Sequence, residues 1–359
     1  MPLRVLIAGG GTGGHVIPAL AIARELRDSA GAEVRFVGTA RGLETKLVPE
    51  AGFRLELIHV GQLKGVSLMT RLRTLGDLPL GILRCMGLLR EFKPQVVVGV
   101  GGYASGPAMM AAILLGIPTL AFEPNAVPGL ANRLVGKRVR AAAVNFQQTT
   151  RYFRNAVVTG IPVRKEFFAL RPKTSGPLRL LVFGGSQGAR VLNEILPKVA
   201  GGLLTRFPEL EIVHQVGGRN VESSAAAYAA SAVSSDRLLV LPYLDAMVDA
   251  IDAADLVVCR SGASTVAELA AAGKPSVLVP FAAAADDHQR KNADVLVAAG
   301  AASMITEAQL TPERLIAEVS ALLEDEAMRL AMGEAARRLA HTDAAGEIAR
   351  MCLRLAGRA

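Results

Sequence analysis

The chain of 359 residues has no tryptophan, and only 4% of its side chains are aromatic. Nucleic-acid modules that stack bases on aromatic rings are therefore a poor match, and no nucleic-acid partner is expected. Its three cysteines, Cys85, Cys259 and Cys352, are far apart. That spacing suits neither a disulfide framework nor a zinc site and fits a reducing compartment. No charge-free apolar run approaches the roughly 20 residues of a bilayer span. The opening run MPLRVLIAGG is short, ends in a glycine turn and has no cleavage-site pattern, so no signal peptide is expected. An Asp-X-Asp metal signature is also missing. The nearest acidic cluster, Glu324 to Glu326, falls on a predicted surface helix, and neither a metal nor a cofactor is expected.

What is abundant is alanine, glycine and a β–α rhythm. The length favours two domains. Apolar runs such as RVLIAG, EVRFVG and PQVVVGVGG alternate with helical segments such as IPALAIARELRDS and GPAMMAAILLG. This pattern predicts a parallel sheet with helices on both faces. The same grammar restarts near residue 177, at LRLLVFGGSQGARVLNEILPKVAGGL, after a polar stretch, RKEFFALRPKTSGP, that reads as an interdomain linker. Ligands of such sheets bind at the carboxyl ends of the strands.

The net charge of +8 is unevenly spread. Residues 1–160 carry 19 basic and 9 acidic side chains; residues 161–359 carry 21 and 23. The excess positive charge of the front half points to an anionic counterpart: a membrane, a nucleic acid or a phosphorylated substrate. Ordinary solubilising charge is the plainer alternative. Segment 64–93 mixes Leu, Ile and Met with Lys64, Arg71, Arg73, Arg84, Arg90 and Lys93. It reads either as a helix covering the sheet or as one lying on an anionic lipid surface.

Four glycine-bearing turns carry the chemistry: GGGTGGH (9–15), GVGGYASGP (99–107), GGSQGAR (184–190) and CRSGASTVAE (259–268). Glycine turns at helix N-termini expose backbone N–H groups to anions. The first also matches G-x-G-x-x-G, which raises an NAD-dependent dehydrogenase. The acidic ribose partner of that fingerprint belongs at the end of the second strand, whereas Glu33 precedes the strand here, and a histidine sits where the loop meets the helix.

Seven segments appear in order: 9–23, 98–112, 116–133, 159–164 (TGIPVR), 182–193, 257–281 and 287–293 (DHQRKNA). Together they resemble the lipid I N-acetylglucosaminyltransferases of bacterial peptidoglycan synthesis, within the GT-B glycosyltransferases. The resemblance runs from about residue 3 to 340. It implies an α/β GT-B fold of two Rossmann-like, doubly wound parallel-sheet domains separated by a deep cleft. The front domain, 1–163, would face acceptor and membrane, and 164–340 would bind the donor. A C-terminal helix in 341–359 is expected to pack back on the front domain. The implied reaction is an inverting transfer of GlcNAc from UDP-GlcNAc to the C4 hydroxyl of MurNAc in undecaprenyl-diphosphate-linked lipid I, at the cytoplasmic face of the cell membrane, with the anionic inner leaflet as a further partner. Another GT-B transferase, or a nucleotide-sugar-binding protein without catalysis, stands as the alternative.

The resemblance also assigns residues. Arg164 and Ser186 match positions that hold the donor diphosphate. Leu244 matches a backbone reader of uracil, and Ala263, Ser264, Thr265, Val266 and Ala267 form the nucleotide loop and helix start. Glu268 would accept from the ribose hydroxyls; alone, it reads as an exposed helix glutamate. Gln289 matches the GlcNAc contact, with Asn292 a nearby candidate. Thr12, Gly13, Gly14 and Asn125 would touch the donor sugar from the front domain. Gly11, Gly102, Tyr103 and Ser105 would cradle the acceptor. His15 and Glu123 are both candidate bases, and the choice between them stays open. The family pattern HEQN around Glu123 is FEPN here, with Phe122 and Pro124 replacing polar residues.

Overall fold

The computed structural model describes residues 2–59, 68–231, 233 and 236–358; in the helix Leu68–Phe92 the side chains of 68–77 are also excluded. Lys64 and the side chains of Arg71 and Arg73 thus lie outside the described residues. The chain divides into two compact units, Met1–Val163 with Asp343–Ala359, and Arg164–Thr342.

The first unit carries β1 (Arg4–Ala8), β2 (Glu33–Gly38), β3 (Arg54–Leu57), β4 (Val96–Gly99), β5 (Thr119–Glu123), β6 (Ala141–Val144) and β7 (Ala156–Val158). They form one parallel sheet in the order β3-β2-β1-β4-β5-β6-β7. The second unit carries β8 (Arg179–Phe183), β9 (Glu211–Gln215), β10 (Leu238–Leu241), β11 (Leu256–Cys259), β12 (Ser276–Leu278) and β13 (Ser303–Met304). Their order, β10-β9-β8-β11-β12-β13, repeats the doubly wound arrangement, again all parallel. Central strands such as β4 (VVVG) and β11 (LVVC) are buried throughout, as strands covered on both faces must be. The topological switch points fall between β1 and β4 and between β8 and β11. The four glycine turns follow these four strands.

Alanine explains the packing. Ala104, Ala108, Ala111 and Ala112, in and beside the helix Ser105–Leu114, join Leu6, Val97, Ala121, Met109 and Leu89 in the first core. Small side chains let helix and sheet approach closely, so a core without tryptophan still fills. The second core gathers Leu180, Val182, Ile212, Val258 and Val277 under the helix Arg190–Arg206. All three cysteines are free and buried; burial pushes the thiols of Cys85 and Cys352 up to about 12.

The segment 164–177 departs from the expected linker. It opens with a short helix, Lys165–Ala169, whose Phe167 is fully buried in the second unit. Lys173 pairs with Asp255 at 3.0 Å, and Arg337 donates to the carbonyls of Leu170 and Ala272. The aromatic anchor outweighs the polar composition of its neighbours. The helix Ala344–Leu355 belongs to the first unit, where Ile348, Ala349, Met351 and Cys352 are buried on the face that meets the helix Gly13–Ala30.

Candidate functional site

In the first unit, β1 runs into Gly9, Gly10 and Gly11, and after Thr12 the helix Gly13–Ala30 starts. Gly11 takes φ 98°, which a residue with a side chain adopts only under strain. Thr12 precedes the helix without a capping hydrogen bond from its side chain, and no acidic residue occupies the first turn. Gly13 and Gly14 therefore point backbone N–H groups off a positive helix end. The second turn, after β4, interlocks with the first: a Cβ on Gly9 would overlap the carbonyl of Gly101, and one on Gly102 would overlap that of Gly10. The His15 imidazole lies against Gly101, where an added Cβ would meet its Cε1 at 2.9 Å. Two glycine turns, the histidine and the half-exposed ring of Tyr103 thus share one end of the sheet.

Beneath this end sits a residue that sequence reasoning missed. The Glu44 carboxylate is 1% exposed. Its Oε2 accepts from Gly11 N–H at 2.7 Å, and its Oε1 accepts from the N–H and hydroxyl of Thr39, both at 3.0 Å. The Gly11 N–H is thereby turned inward to a carboxylate, so the outward donors are those of Gly13 and Gly14.

Ser105 and Glu123 stand apart from their expected roles. Ser105 is buried, with its hydroxyl packed under Gly99, where a substrate has no access. Glu123 is fully buried at the end of β5, and four donors surround it. Its Oε1 accepts from Asn125 N–H (3.0 Å) and Nδ2 (3.1 Å), and its Oε2 from Gly129 N–H (3.1 Å) and Asn132 Nδ2 (3.0 Å). Burial raises its pKa, and the same hydrogen bonds oppose the rise. A carboxylate spending its lone pairs on its own loop holds Asn125 in place. The substituted neighbours fit that role: Phe122 is buried core, and the carbonyl of Pro124 accepts from Asn145 at 3.2 Å.

In the second unit, the turn 184–188 follows β8 and leaves Ser186 exposed. Gly188 and Gly217 interlock with the backbone at Val216 and Gln187, where a Cβ on either would overlap it. The buried Gln215 accepts from Gly184 N–H at 3.3 Å and donates to the carbonyl of Pro242 at 3.2 Å. One amide thus ties the glycine turn to the loop that carries Leu244. After β11, Gly262 starts the helix Ala263–Ala272, again with no acidic residue in its first turn. Ala263, Ser264 and Thr265 place unpaired backbone N–H groups there. Glu268 lies one turn on; burial lifts its pKa to about 7, and the nearby Arg164 guanidinium opposes the lift. Arg164 itself is exposed and stacks over Phe167 at 5.0 Å.

Gln289 lies in the first turn of the helix His288–Ala298, with its Oε1 accepting from Phe281 N–H at 3.0 Å and its backbone carbonyl from Ser261 at 2.8 Å. Two consecutive left-handed residues, Asp286 (φ 55°) and Asp287 (φ 56°), precede it. Such φ values collect where a loop is held for function. Asn292 is fully buried and donates to the Ser261 carbonyl at 3.2 Å, which makes it a brace. Arg260, unassigned from sequence, donates to the carbonyls of Val279 and Pro280 and pairs with Glu307 at 2.6 Å, fixing the same loop. Arg164, Ser186, Leu244, residues 263–268 and Gln289 all belong to the second unit; Gly11 to His15, Gly102, Tyr103 and Asn125 all belong to the first.

Comparison with known proteins agrees with this division. Residues 5–144 match the Glycosyltransferase family 28 N-terminal domain, and residues 179–348 match the Glycosyltransferase family 28 C-terminal domain. A protein from Syntrophus aciditrophicus is 44% identical over 98% of this chain and 99% of its own. One from Anaeromyxobacter dehalogenans is 47% identical over 99% of this chain and 94% of its own. Both are named UDP-N-acetylglucosamine--N-acetylmuramyl-(pentapeptide) pyrophosphoryl-undecaprenol N-acetylglucosamine transferase. The crystal structure of Acinetobacter baumannii MurG superposes with a TM-score of 0.83 at 33% identity, covering 98% of this chain and all of that one. With both family domains matched in order and relatives similar from end to end, the chain belongs to glycosyltransferase family 28.

Proposed function

We propose that the protein transfers GlcNAc from UDP-GlcNAc to the C4 hydroxyl of MurNAc in lipid I, with inversion, releasing lipid II and UDP. The observation that carries this reading is the pairing, in one family 28 chain, of two switch-point sites of different chemistry. The second unit offers an anion site: helix N–H groups at 263–265, Arg164 and the exposed Ser186. Departing UDP gains negative charge as the anomeric C–O bond breaks, and preorganised donors of this kind stabilise it. Arg164 suits the task because its planar fork bonds two phosphate oxygens at once. Glu268 accepts from the ribose hydroxyls, the backbone at Leu244 reads the uracil, and Gln289 donates its amide to the GlcNAc hydroxyls.

The first unit supplies the acceptor side. His15 takes the proton from the MurNAc hydroxyl as its oxygen attacks the anomeric carbon opposite the diphosphate. Between the two candidate bases, the saturated carboxylate of Glu123 favours His15. Thr12, Gly13, Gly14 and Asn125 contact the sugar being moved; Gly102 and Tyr103 contact the acceptor.

The acceptor's lipid calls for a membrane surface. Among the described residues, no helix is long and apolar enough to cross a bilayer. The helix Leu68–Phe92 instead exposes Leu80 (66%) and Leu83 (62%) beside the exposed Arg84. Apolar side chains next to a cation suit the headgroup region of an anionic leaflet, which supports peripheral binding at the cytoplasmic face.

The test is incubation of radiolabelled UDP-GlcNAc with a lipid I analogue, with diacylglycerol as the competing acceptor and with EDTA in parallel. The expected result is label on the lipid I analogue alone, undiminished by EDTA. Label on another acceptor only, or none, overturns the reading.

A further inference from the structure

The buried Glu44 has no part in the reaction as described, yet the structure around it is built to admit its carboxylate. A Cβ on Gly10, Gly38 or Gly42 would overlap the Glu44 side chain. Three glycines from two stretches, Gly10 in one and Gly38 with Gly42 in the other, therefore leave room for one acid. Its oxygens meet only donors: Gly11 N–H, Thr39 N–H and the Thr39 hydroxyl. A backbone bond reinforces the tie, with Leu43 N–H donating to the Gly11 carbonyl at 3.0 Å. The turn 9–11 is thus held on one flank by residues 43–44 and on the other by the turn at 101–102, against which His15 rests.

We propose that Glu44 is a positioning residue for transfer: through Gly11 it fixes the turn that sets Thr12, Gly13 and Gly14 toward the sugar being moved and His15 toward the acceptor hydroxyl. The proposal rests on the transferase reading above. Removing the carboxylate leaves the Gly11 and Thr39 N–H groups without their acceptor, and the turn relaxes. UDP binding, which the second unit supplies, is untouched.

The experiment uses the full chain with Glu44→Gln, Glu44→Ala and the milder Thr39→Val. Steady-state kinetics with the lipid I analogue are measured beside UDP affinity by calorimetry and the thermal midpoint. The expected result is a graded loss of kcat/KM for the acceptor: a few-fold for Thr39→Val, about 10-fold for Glu44→Gln and about 100-fold for Glu44→Ala, as buried hydrogen bonds to a charged group are lost in turn. UDP affinity stays within twofold throughout. Acceptor kinetics at the wild-type level in both Glu44 variants overturn the proposal, and so does a parallel fall in UDP affinity. Should the Glu44 variants fail to fold, Thr39→Val decides, with unchanged acceptor kinetics counting against. A wild-type protein that transfers nothing to the analogue refutes the transferase reading instead, so the two failures are separable.

Discussion

The two glycine turns that follow the first strand of each sheet, GGGTGG and GGSQGA, look interchangeable in sequence, but they rest on different supports. Under the first lies the Glu44 carboxylate, bonded to Gly11; under the second lies the Gln215 amide, bonded to Gly184. The first turn enters its helix at Gly13 and the second only at Arg190, and the supports differ in chemistry, an acid in one and an amide in the other. A nucleotide diphosphate placed over the first turn would meet a like charge beneath it, whereas one placed over the second would meet a neutral amide. The fold is therefore used twice, with a different support beneath each turn.

The largest expected effect tests the acceptor side. His15→Ala lowers kcat by roughly 100- to 10,000-fold, the range for a lost general base, with UDP affinity unchanged by calorimetry. Wild-type turnover in that variant removes His15 from the reaction. On the donor side, Glu268→Ala weakens UDP binding by roughly 1–3 kcal/mol, as a hydrogen bond to a charged group is lost.

The same residue gives a pH signature. The folded Glu268 titrates at about 7 against 4.5 for an exposed carboxyl. Only the ionised form accepts from both ribose hydroxyls, so UDP affinity rises with pH through about 7, and the dependence vanishes in Glu268→Ala. Stability runs the other way. Between pH 4.5 and about 7 the folded state holds a proton that the unfolded chain releases, so this group's contribution to stability declines as pH rises through that window.

A smaller effect addresses the supports directly. Gln215→Glu places a carboxylate beneath the second turn, as in the first, and UDP affinity falls by roughly 1–2 kcal/mol through like-charge repulsion. Unaltered affinity with an unchanged thermal midpoint would show that the charge of the support does not affect nucleotide binding. Smallest is the effect expected at the proposed membrane surface: Arg84→Gln weakens binding to anionic vesicles by about 1 kcal/mol, measured by sedimentation.

The sequence exposed the architecture because strands buried on both faces and glycine turns are local signals. RVLIAGG and LRLLVFGG each announce a strand and a turn without help from distant residues. The residues that support the site were hidden for the opposite reason. Glu44 reads as an ordinary acid at the start of a short helix; only the convergence of Gly10, Gly38 and Gly42 buries it. The signal available was the pair of glycines in GTARGLE, four apart and just ahead of the acid. Gln215 closes a strand and looks like any polar strand end until the Pro242 loop folds beside it. Ser105 and Asn292 sit in motifs rich in contact residues, yet their side chains face inward, and motif membership does not report the direction of a side chain. Phe167 was masked by the prolines and charges around it.

The most direct test is a crystal structure of the protein soaked with UDP-GlcNAc. Uracil is expected at the backbone of Leu244, ribose hydroxyls on Glu268, and the diphosphate at Arg164, Ser186 and the N–H groups of 263–265. A nucleotide bound on residues 9–15, with the positions from 244 to 289 empty, would contradict this placement.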